Sequence, residues 1–329
     1  MRIVVTGSIA TDHLMVFPGR FADSLMREQL ESISVSFLAD KLEVRRGGAA
    51  ANIAFGLARL GLKPMLVGAA GSDFGDYRSW LDRHGVDTTS VHISEVQQTA
   101  RFVCTTDRDG NQIATFYAGA MKEAREIELA PVLERLTDGS VVVISANDPE
   151  AMDRHAEECR FRGVPFIADP SQQLSSMNRE EVIGLLQGAS MLFNNEYESA
   201  LIHQRTGWTD EEVLSAVPTR ITTLGPRGSR IDQKGREPVF IGCPKERVRL
   251  DPTGVGDAFR AGFLAGMSWD LPLVRCAELG AMLATCVIET VGTQEYGFEP
   301  SEFLARLGEA FGPESAEEVG VHLRRSLLV

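Results

Sequence analysis

Short β-branched runs alternate with helical patterns over most of this chain. Strand-like apolar runs cover residues 3–6, 65–69, 141–145, 166–169, 191–194 and 221–224. Helix-like stretches lie between them, and the stretch from about residue 49 to 60 is stopped by Gly61, while the one after residue 69 is stopped by Gly85. Continuous apolar runs of this kind are typical of strands buried on both faces. The pattern therefore predicts an α/β fold built on a doubly wound, mostly parallel sheet.

Polar side chains follow the ends of these predicted strands. Ligands of doubly wound sheets collect at the carboxyl ends of the strands. Here those ends carry Ser8, Asp12, Asp169, Gln172, Asn195 and Thr223. We therefore expect the functional site at this edge of the sheet.

Two segments break the alternation and resemble strands without helices between them. Residues 33–37 and 42–46 form one such pair, and residues 101–106 and 113–117 form the other. The second pair is joined by Asp109-Gly110, a good hairpin turn signal. These segments predict a small antiparallel sheet that would act as a lid and exclude water from the site.

No repeat, low-complexity tract or flexible linker divides the chain. We therefore expect a single domain over residues 1–329, with a lid formed by about residues 12–46 and 96–118. The segment after Glu299 predicts one or two surface helices.

Charge and cysteine content limit the partners and the compartment. The formal net charge is −13, which would repel a polyanion, so neither nucleic acid nor an anionic membrane is an expected partner. Five cysteines without a CxxC pair argue against a disulfide framework and against a zinc site. The N-terminal segment has no signal-peptide pattern, and no apolar run has membrane length. These features predict a cytoplasmic protein.

The most specific motif is the glycine-rich turn DPTGVGD at residues 251–257, which leads into an apolar helical pattern. Amides of Gly254, Val255 and Gly256, together with the helix dipole, would bind charge that develops on a transferred phosphoryl group. Asp257, in the first helical turn, could accept the proton of an attacking hydroxyl. The alternative is that Asp257 only caps the helix. Asp251 and the two glycines favour the catalytic interpretation.

This turn resembles the second signature of the ribokinase family, also called the PfkB sugar kinases. The first signature of that family resembles RGGAAANIAFGLARLG at residues 46–61. Gly47 and Gly48 would let a sugar approach the backbone, and the Asn52 amide can donate to and accept from hydroxyls. A Gly-Gly turn entering a packed helix is the alternative. The resemblance implies a three-layer α/β/α fold and ATP-dependent transfer of phosphate to an alcohol group.

Two further motifs resemble the nucleotide side of this family. Asn195-Glu-Tyr-Glu198 resembles the NxxE motif, which implies that Asn195 and Glu198 organise Mg²⁺ through water. An acidic helix start is the alternative. The loop TTLGPRG at residues 222–228 would place Thr223, Gly225 and Gly228 near ATP, although a plain strand-turn-strand explains it equally well.

The resemblance also implies activation by K⁺. The monovalent-cation loop of the family would match Asp251 and Thr253, with backbone oxygens near Val287 and Gly292 completing the site.

Three features concern the acceptor. A carboxylate at Asp12 can accept two hydrogen bonds from a vicinal diol such as that of ribose. Phe102 and Phe116, in the two predicted lid strands, could sandwich a flat purine, or they could be core aromatics of a small sheet. The amides of Gln172 and Gln173 could match the mixed donor and acceptor edge of adenine. Together these residues point to a nucleoside.

Four segments are GSIATDHL at residues 7–14, NDPEAM at 147–152, DPSQQ at 169–173 and ETVGTQE at 289–295. With these segments, nearly the full length of the chain resembles the bacterial adenosine kinases of actinobacterial type. This resemblance implies that adenosine is the acceptor and that its 5′-hydroxyl lies at Asp257. It places Ser8, Asp12, Ser36, Gly48 and Asn52 around the ribose, and Phe102, Phe116, Gln172 and Gln173 around the base. Such proteins are homodimers with complementing lid strands, so the resemblance implies that Ser36 enters the site of the opposite subunit.

Other functions fit the sequence less well. A dinucleotide oxidoreductase would need GxGxxG, and a P-loop enzyme GxxxxGK[ST], and neither motif occurs. Intact Asp257 argues against an inactive nucleotide-binding regulator. The remaining alternative is a kinase for ribose, fructose or a sugar phosphate, although only Arg45 and Arg46 suggest a site for a phosphorylated sugar.

Overall fold

A computed structural model describes residues 1–24 and 35–326. In chain order its strands are β1 (Ile3–Thr6), β2 (Ala10–Val16), β3 (Lys41–Gly47), β4 (Met65–Ala70), β5 (Asp87–Ile93), β6 (Ala100–Thr106), β7 (Gln112–Tyr117), β8 (Val141–Ser145), β9 (Phe166–Asp169), β10 (Met191–Asn195), β11 (Thr219–Thr223), β12 (Ser229–Gln233) and β13 (Val239–Ile241). The helices are α1 (Phe21–Ser24), α2 (Ala49–Arg59), α3 (Gly75–Arg83), α4 (Ala130–Leu133), α5 (Pro149–Arg162), α6 (Arg179–Leu186), α7 (Glu196–Thr206), α8 (Asp210–Ala216), α9 (Val255–Ser268), α10 (Leu273–Ile288), α11 (Pro300–Phe311) and α12 (Pro313–Ser326).

The large sheet has nine strands in the order β13-β12-β11-β10-β9-β8-β1-β4-β5. The strands from β11 to β5 in this order are parallel, whereas β12 and β13 form an antiparallel edge. The predicted doubly wound, mostly parallel sheet is therefore confirmed. The predicted strand at residues 221–224 instead begins at Thr219 and ends at Thr223.

Helices cover both faces of this sheet and produce three layers. Successive residues of a strand point to opposite faces, and accordingly Val5 packs into one hydrophobic cluster while Val4 packs into another. The first cluster includes buried side chains of α2, α3 and α9–α12, and the second includes those of α4–α8. The α/β/α arrangement confirms the fold that the family resemblance implies.

The small sheet has four strands in the order β3-β2-β6-β7. Its outer pairs are antiparallel and its central pair, β2 with β6, is parallel. The predicted hairpin of residues 101–106 and 113–117 is confirmed. The predicted pairing of 33–37 with 42–46 is wrong for the described residues 35–37, which form no strand, while 33 and 34 lie outside the described ranges. The partner of β3 is instead β2, and all seven residues of β2 pair with β3.

The C-terminal segment forms α11 and α12, as the sequence predicts. Each helix buries an apolar side against the rest of the protein, through Phe303 and Leu307 in α11 and Val319 and Leu323 in α12. Within residues 1–24 and 35–326, every helix is too short or too polar to cross a membrane.

Candidate active site

Two cavities meet at the carboxyl edge of the large sheet. The main cavity has a volume of about 740 Å³, and the second cavity has a volume of about 420 Å³. Both are lined by Asn195, Thr223 and Gly256, so these residues stand where the two spaces join. The edge is the one that the strand ends predict.

The structure brings nearly all the predicted site residues to these two cavities. Those at the main cavity are Ser8, Asp12, Gly48, Asn52, Phe102, Phe116, Gln172, Gln173, Asn195, Glu198, Thr223, Thr253, Gly254, Gly256 and Asp257. Those at the second cavity are Asn195, Thr223, Gly225, Gly228, Val255 and Gly256. Ser36 is exposed and Asp251 lies in a loop, and neither lines either cavity.

The glycine-rich turn forms the wall between the cavities. Gly254 is the N-cap of α9, with φ 76°, and a Cβ there would lie 2.9 Å from the Cβ of Thr293. Glycine is favoured here because the backbone has a positive φ and because a side chain would collide with Thr293. The first intrahelical bond runs from the Ala258 amide to the Gly254 carbonyl, at 2.9 Å. The amides before Ala258 lack intrahelical acceptors, which makes this end of α9 a suitable place for anionic oxygens.

Asp257 does not cap α9, because Gly254 is the N-cap and no side chain bonds to the cap. Instead, the Asp257 carboxylate accepts a hydrogen bond from Asn52, with Nδ2 and Oδ2 2.8 Å apart. The Asn52 Oδ1 accepts from Gln294 Nε2 at 3.0 Å, and the same nitrogen donates to the Tyr77 hydroxyl at 2.5 Å. Asn52, Gln294 and Tyr77 are buried, so this chain of hydrogen bonds fixes the Asp257 side chain at the cavity.

Burial raises the pKa of Asp257 to about 6. Arg260 and the Asn52 hydrogen bond oppose this increase, while Asp169 and Glu198 add to it. A carboxylate with such a pKa is mostly ionised at neutral pH and is more basic than an exposed aspartate. Asp257 is therefore suited to accept a proton from a bound hydroxyl group.

Asp12 stands in a row with the two predicted aromatic residues. It pairs with Phe102 across β2 and β6, and Phe102 pairs with Phe116 across β6 and β7. Residues paired in this way project to the same face of a sheet, and all three line the main cavity. Burial, followed by the charges of Asp251 and Asp257, raises the pKa of Asp12 to about 6. The small sheet thus forms a wall with one carboxylate and two rings.

Ser8 and Gly48 hold the first signature against β1. The Ser8 Oγ accepts a hydrogen bond from the Ala49 amide at 3.0 Å, at the start of α2. Gly48 has φ 94°, and a Cβ there would lie 2.5 Å from the Ser8 carbonyl oxygen. Close packing and a positive φ therefore explain why residue 48 is a glycine. Gly48 also lines the main cavity.

Asn195 and Glu198 form a capping box at the start of α7. Each side chain accepts from the other residue's backbone amide, at 2.8 Å in both cases. Both residues also line the main cavity, and burial raises the pKa of Glu198. The helix-start interpretation is correct for the local geometry, and the same geometry places a carboxylate and an amide at the cavity.

Asp251 braces the loop before α9. Its Oδ1 accepts from the Thr253 amide at 2.9 Å, and its Oδ2 accepts from the Gly292 amide at 3.0 Å. This carboxylate therefore ties the glycine-rich turn to the segment after α10.

Sequence reasoning missed two polar residues near Asp257. Arg260 lines the main cavity, and its Nε donates to Asp169 Oδ1 at 2.5 Å. Gln294 supports Asn52, as described above. Arg260 had a signal in the sequence, because it is a basic residue in the otherwise apolar helical pattern after Asp257.

Comparisons with known proteins identify the family of this chain. Residues 9–300 match the model of the pfkB family carbohydrate kinases. The nucleoside kinase of Methanocaldococcus jannaschii is 31% identical over 250 residues, which cover 75% of this chain and 80% of that protein. The structure of Burkholderia thailandensis nucleoside kinase in complex with inosine has a TM-score of 0.83 and 30% identity, covering 94% of this chain and 99% of the other. Its complex with ADP-inosine has a TM-score of 0.79 and 32% identity, covering 94% and 96%. The family match includes both signatures and shows that the chain belongs to the PfkB family of carbohydrate kinases.

Proposed function

We propose that this protein is an ATP-dependent nucleoside kinase that transfers the γ-phosphoryl group to the 5′-hydroxyl of adenosine, giving AMP and ADP. The observation that carries the proposal is the meeting of the two cavities at Gly256, with Asp257 beside the junction. A donor in the second cavity and an acceptor in the main cavity would face each other across the N-terminus of α9.

The main cavity supports a nucleoside acceptor. Asp12 can bind the ribose diol, because a carboxylate accepts two hydrogen bonds from neighbouring hydroxyls. Phe102 and Phe116 line the same cavity, where base stacking on aromatic rings contributes about 1–3 kcal/mol per base. Gln172 and Gln173 add amide groups that suit the edge of adenine. The similarity to two nucleoside kinases supports the same class of acceptor.

The proposed reaction is an in-line displacement. Asp257 accepts the proton of the 5′-hydroxyl, the hydroxyl oxygen bonds to the γ-phosphorus, and the bond between that phosphorus and the ADP oxygen breaks. Amides of Gly254, Val255 and Gly256 stabilise the negative charge on the transferred group. Asn52 holds Asp257 in place through its 2.8 Å hydrogen bond.

Mg²⁺ would accompany ATP in this mechanism. The described residues contain no group of three or more His, Cys, Asp or Glu side chains able to hold a metal. This fits Mg²⁺, which keeps several waters and is bound largely by substrate phosphates. Asn195 and Glu198 would hold it through water, and it would neutralise phosphate charge. Activity should disappear in EDTA and return with MgCl₂.

K⁺ would act as an activator near Asp251 and Thr253. Asp251 connects the turn before α9 to Gly292, so a cation bound there would stabilise the amides that face the phosphoryl group. Replacing KCl with choline chloride at equal ionic strength should lower kcat. Unchanged kcat would contradict this proposal.

We also propose a homodimer that forms through the small sheet, with residues 12–46 and 96–118 acting as a lid. The face of this sheet away from the Asp12 row carries Leu42, Val44, Ile113 and Tyr117, which are 59%, 58%, 45% and 43% exposed. Such a patch is typical of an interaction surface. Ser36, exposed in this chain, would then enter the partner's site. A Leu42→Glu/Ile113→Glu variant should be a monomer with reduced activity, and a fully active monomer would overturn the dimer role.

The cysteines support a reducing compartment. All five are free, and four of them are buried. Together with the use of ATP, this supports the proposed cytoplasmic location.

The acceptor is tested by ATP consumption with MgCl₂ and KCl. The panel contains adenosine, inosine, guanosine, cytidine, ribose, fructose and fructose 6-phosphate. Preference for adenosine is expected from the resemblance to adenosine kinases, and the aromatic pair and the two glutamines suit a purine base. Preference for another nucleoside would overturn adenosine but retain the nucleoside kinase, and preference for a sugar would overturn both.

A further inference from the structure

Arg260 is a buried cation beside Gly256, one of the residues that line both cavities. It lies three residues after Asp257, on the same side of α9, and only 6% of its surface is exposed. It nevertheless lines the main cavity together with Asn195, Glu198 and Gly256. A buried charged group needs partners, because removing it from water is costly. The partners of this guanidinium therefore indicate what it does.

The described protein partners engage one side of the guanidinium. Nε donates to Asp169 Oδ1 at 2.5 Å, and Nη2 is 4.0 Å from Glu198 Oε2, which is beyond hydrogen-bond distance. Arginine has five N–H donors in a planar fork. Among the hydrogen bonds of the described residues, only the Nε donor of Arg260 is used. The terminal Nη groups retain donors for a ligand.

The free side of the guanidinium lies against the glycine-rich turn. A Cβ on Gly256 would stand 2.9 Å from Arg260 Nη1. Gly256 is one of the residues shared by both cavities, so Nη1 is adjacent to the path between donor and acceptor. The absence of a side chain at residue 256 allows this approach.

The surrounding charges keep Arg260 positive. Burial tends to lower its pKa, but Asp169, Glu198 and Asp257 outweigh this effect and hold the pKa above its ordinary value. The guanidinium therefore stays positively charged, close to where the proposed reaction would transfer the phosphoryl group from ATP to the acceptor oxygen. Arginine is well suited to planar, bidentate recognition of phosphate.

We propose that Arg260 is a catalytic residue whose Nη groups donate hydrogen bonds to the oxygens of the phosphoryl group during transfer. This rests on the proposed phosphotransfer at this site. Arg260 forms no covalent bond: the hydroxyl proton goes to Asp257, and the bond to ADP breaks as the bond to the acceptor forms. Its contribution is to bind charge that builds up in the transition state.

The test compares Arg260→Met with Arg220→Met. Arg220 is a matched control because it is also buried, pairs with Asp232 at 3.2 Å and with Asp210 at 2.6 Å, and lines neither cavity. Loss of one charge-stabilising donor typically lowers kcat about 10²–10³-fold. We expect that loss in Arg260→Met, with nucleoside and MgADP affinities little changed. A kcat equal to that of Arg220→Met would overturn the proposal.

A second measurement separates a contact with phosphate from a structural role. MgADP, acceptor and aluminium fluoride mimic the transferring phosphoryl group, and they should raise the melting temperature of wild type above that with MgADP and acceptor alone. Arg260→Met should lose this increment, whereas Arg220→Met should keep it despite a lower melting temperature. Retention of the increment in Arg260→Met would overturn the proposal.

A third variant covers the case in which Arg260→Met does not fold. Arg260→Lys keeps a positive charge beside Asp169 but lacks the planar fork, so reduced kcat and a smaller fluoride increment are expected. Wild-type values for both would overturn the proposal. All assays use the acceptor that wild type prefers in the panel. If that acceptor is a sugar, the nucleoside proposal fails, while the comparison of Arg260 with Arg220 still decides the role of Arg260.

Discussion

Asn52 Nδ2 donates to Asp257 Oδ2 over 2.8 Å, although the two residues are 205 positions apart in the chain. One belongs to the first signature on α2, and the other to the second signature on α9. This hydrogen bond connects the proposed acceptor side of the main cavity directly to the proposed base. Substitution of Asn52 in the first signature should therefore change the proton affinity of Asp257 in the second.

Replacing Asn52 with Ala should move the pH dependence of catalysis. The Asn52 hydrogen bond lowers the pKa of Asp257, so its loss should raise that pKa and shift the acidic limb of kcat/KM to higher pH. The pH–rate profile checks this outcome. Asn178→Ala is the control, because Asn178 caps α6 at the surface and its loss should affect stability alone. An unshifted limb in Asn52→Ala would show that the contact does not tune the base.

Replacing Asp257 with Asn should remove the base without removing the site. We expect kcat to fall about 10²–10⁴-fold, the usual contribution of a general base. Adenosine and MgATP should still bind, as calorimetry can measure, since Asn keeps an oxygen for the Asn52 hydrogen bond. Turnover close to that of wild type would show that Asp257 is not the general base.

The same substitution should stabilise the fold above pH 6. The pKa of Asp257 is raised from 3.8 to about 6, so the folded protein favours the protonated carboxyl. The unfolded chain then binds fewer protons between these values, and the unfolding free energy contributed by Asp257 falls as pH rises through this window. Asp257→Asn should melt at a higher temperature than wild type at pH 8. The difference should shrink below about pH 4, and a pH-independent difference would contradict the pKa argument.

Wild-type activity should rise as pH increases through about 6. The base must be ionised, and burial places the pKa of Asp257 at about 6 rather than 3.8. Asp12 also has a pKa of about 6, so protonation of both groups would contribute to the acidic limb. Measuring kcat/KM in Asp12→Asn tests this: its limb should be less steep than that of wild type. Full activity at pH 4.5 in wild type would rule out a base with a raised pKa.

Replacing Phe116 with Ala should weaken nucleoside binding more than catalysis. Loss of about 1–3 kcal/mol of stacking corresponds to roughly a fivefold to 150-fold increase in KM. Phe161→Ala is a suitable control because Phe161 is 90% exposed on α5 and lines neither cavity. An unchanged KM for Phe116→Ala would show that this ring does not bind the base and has a structural role only. The same experiment with ribose, which has no base, should show no difference.

The central strands could be predicted from sequence because their signal is local. Val141–Ser145 and Phe166–Asp169 are short apolar runs between helices, and the structure has both strands with these bounds. Strand β2 was missed because ATDHLMV mixes polar and apolar residues without a clear period. It is a strand because β3 and β6 pair with it on either side, which is information that a local pattern does not contain.

The candidate site also contains residues that the sequence predicts and residues that it does not. Motif spacing predicted Asp257 and the glycines, because an anion site at a helix N-terminus needs those residues close together in sequence. The roles of Arg260 and Gln294 depend on distant partners, Asp169 and Asn52, which lie far along the chain. The row of Asp12, Phe102 and Phe116 likewise depends on strand register. Spacing alone does not reveal such neighbours.

The row on the small sheet has an evolutionary consequence. The groups proposed to recognise the acceptor stand on β2, β6 and β7, whereas the proposed base and anion site stand on α9. Substitutions of the two rings could therefore change which molecule is accepted without replacing any residue of the proposed base or anion site. A lineage with this architecture could explore new substrates by mutating one sheet, while the residues of the proposed phosphotransfer centre on α9 stay unchanged.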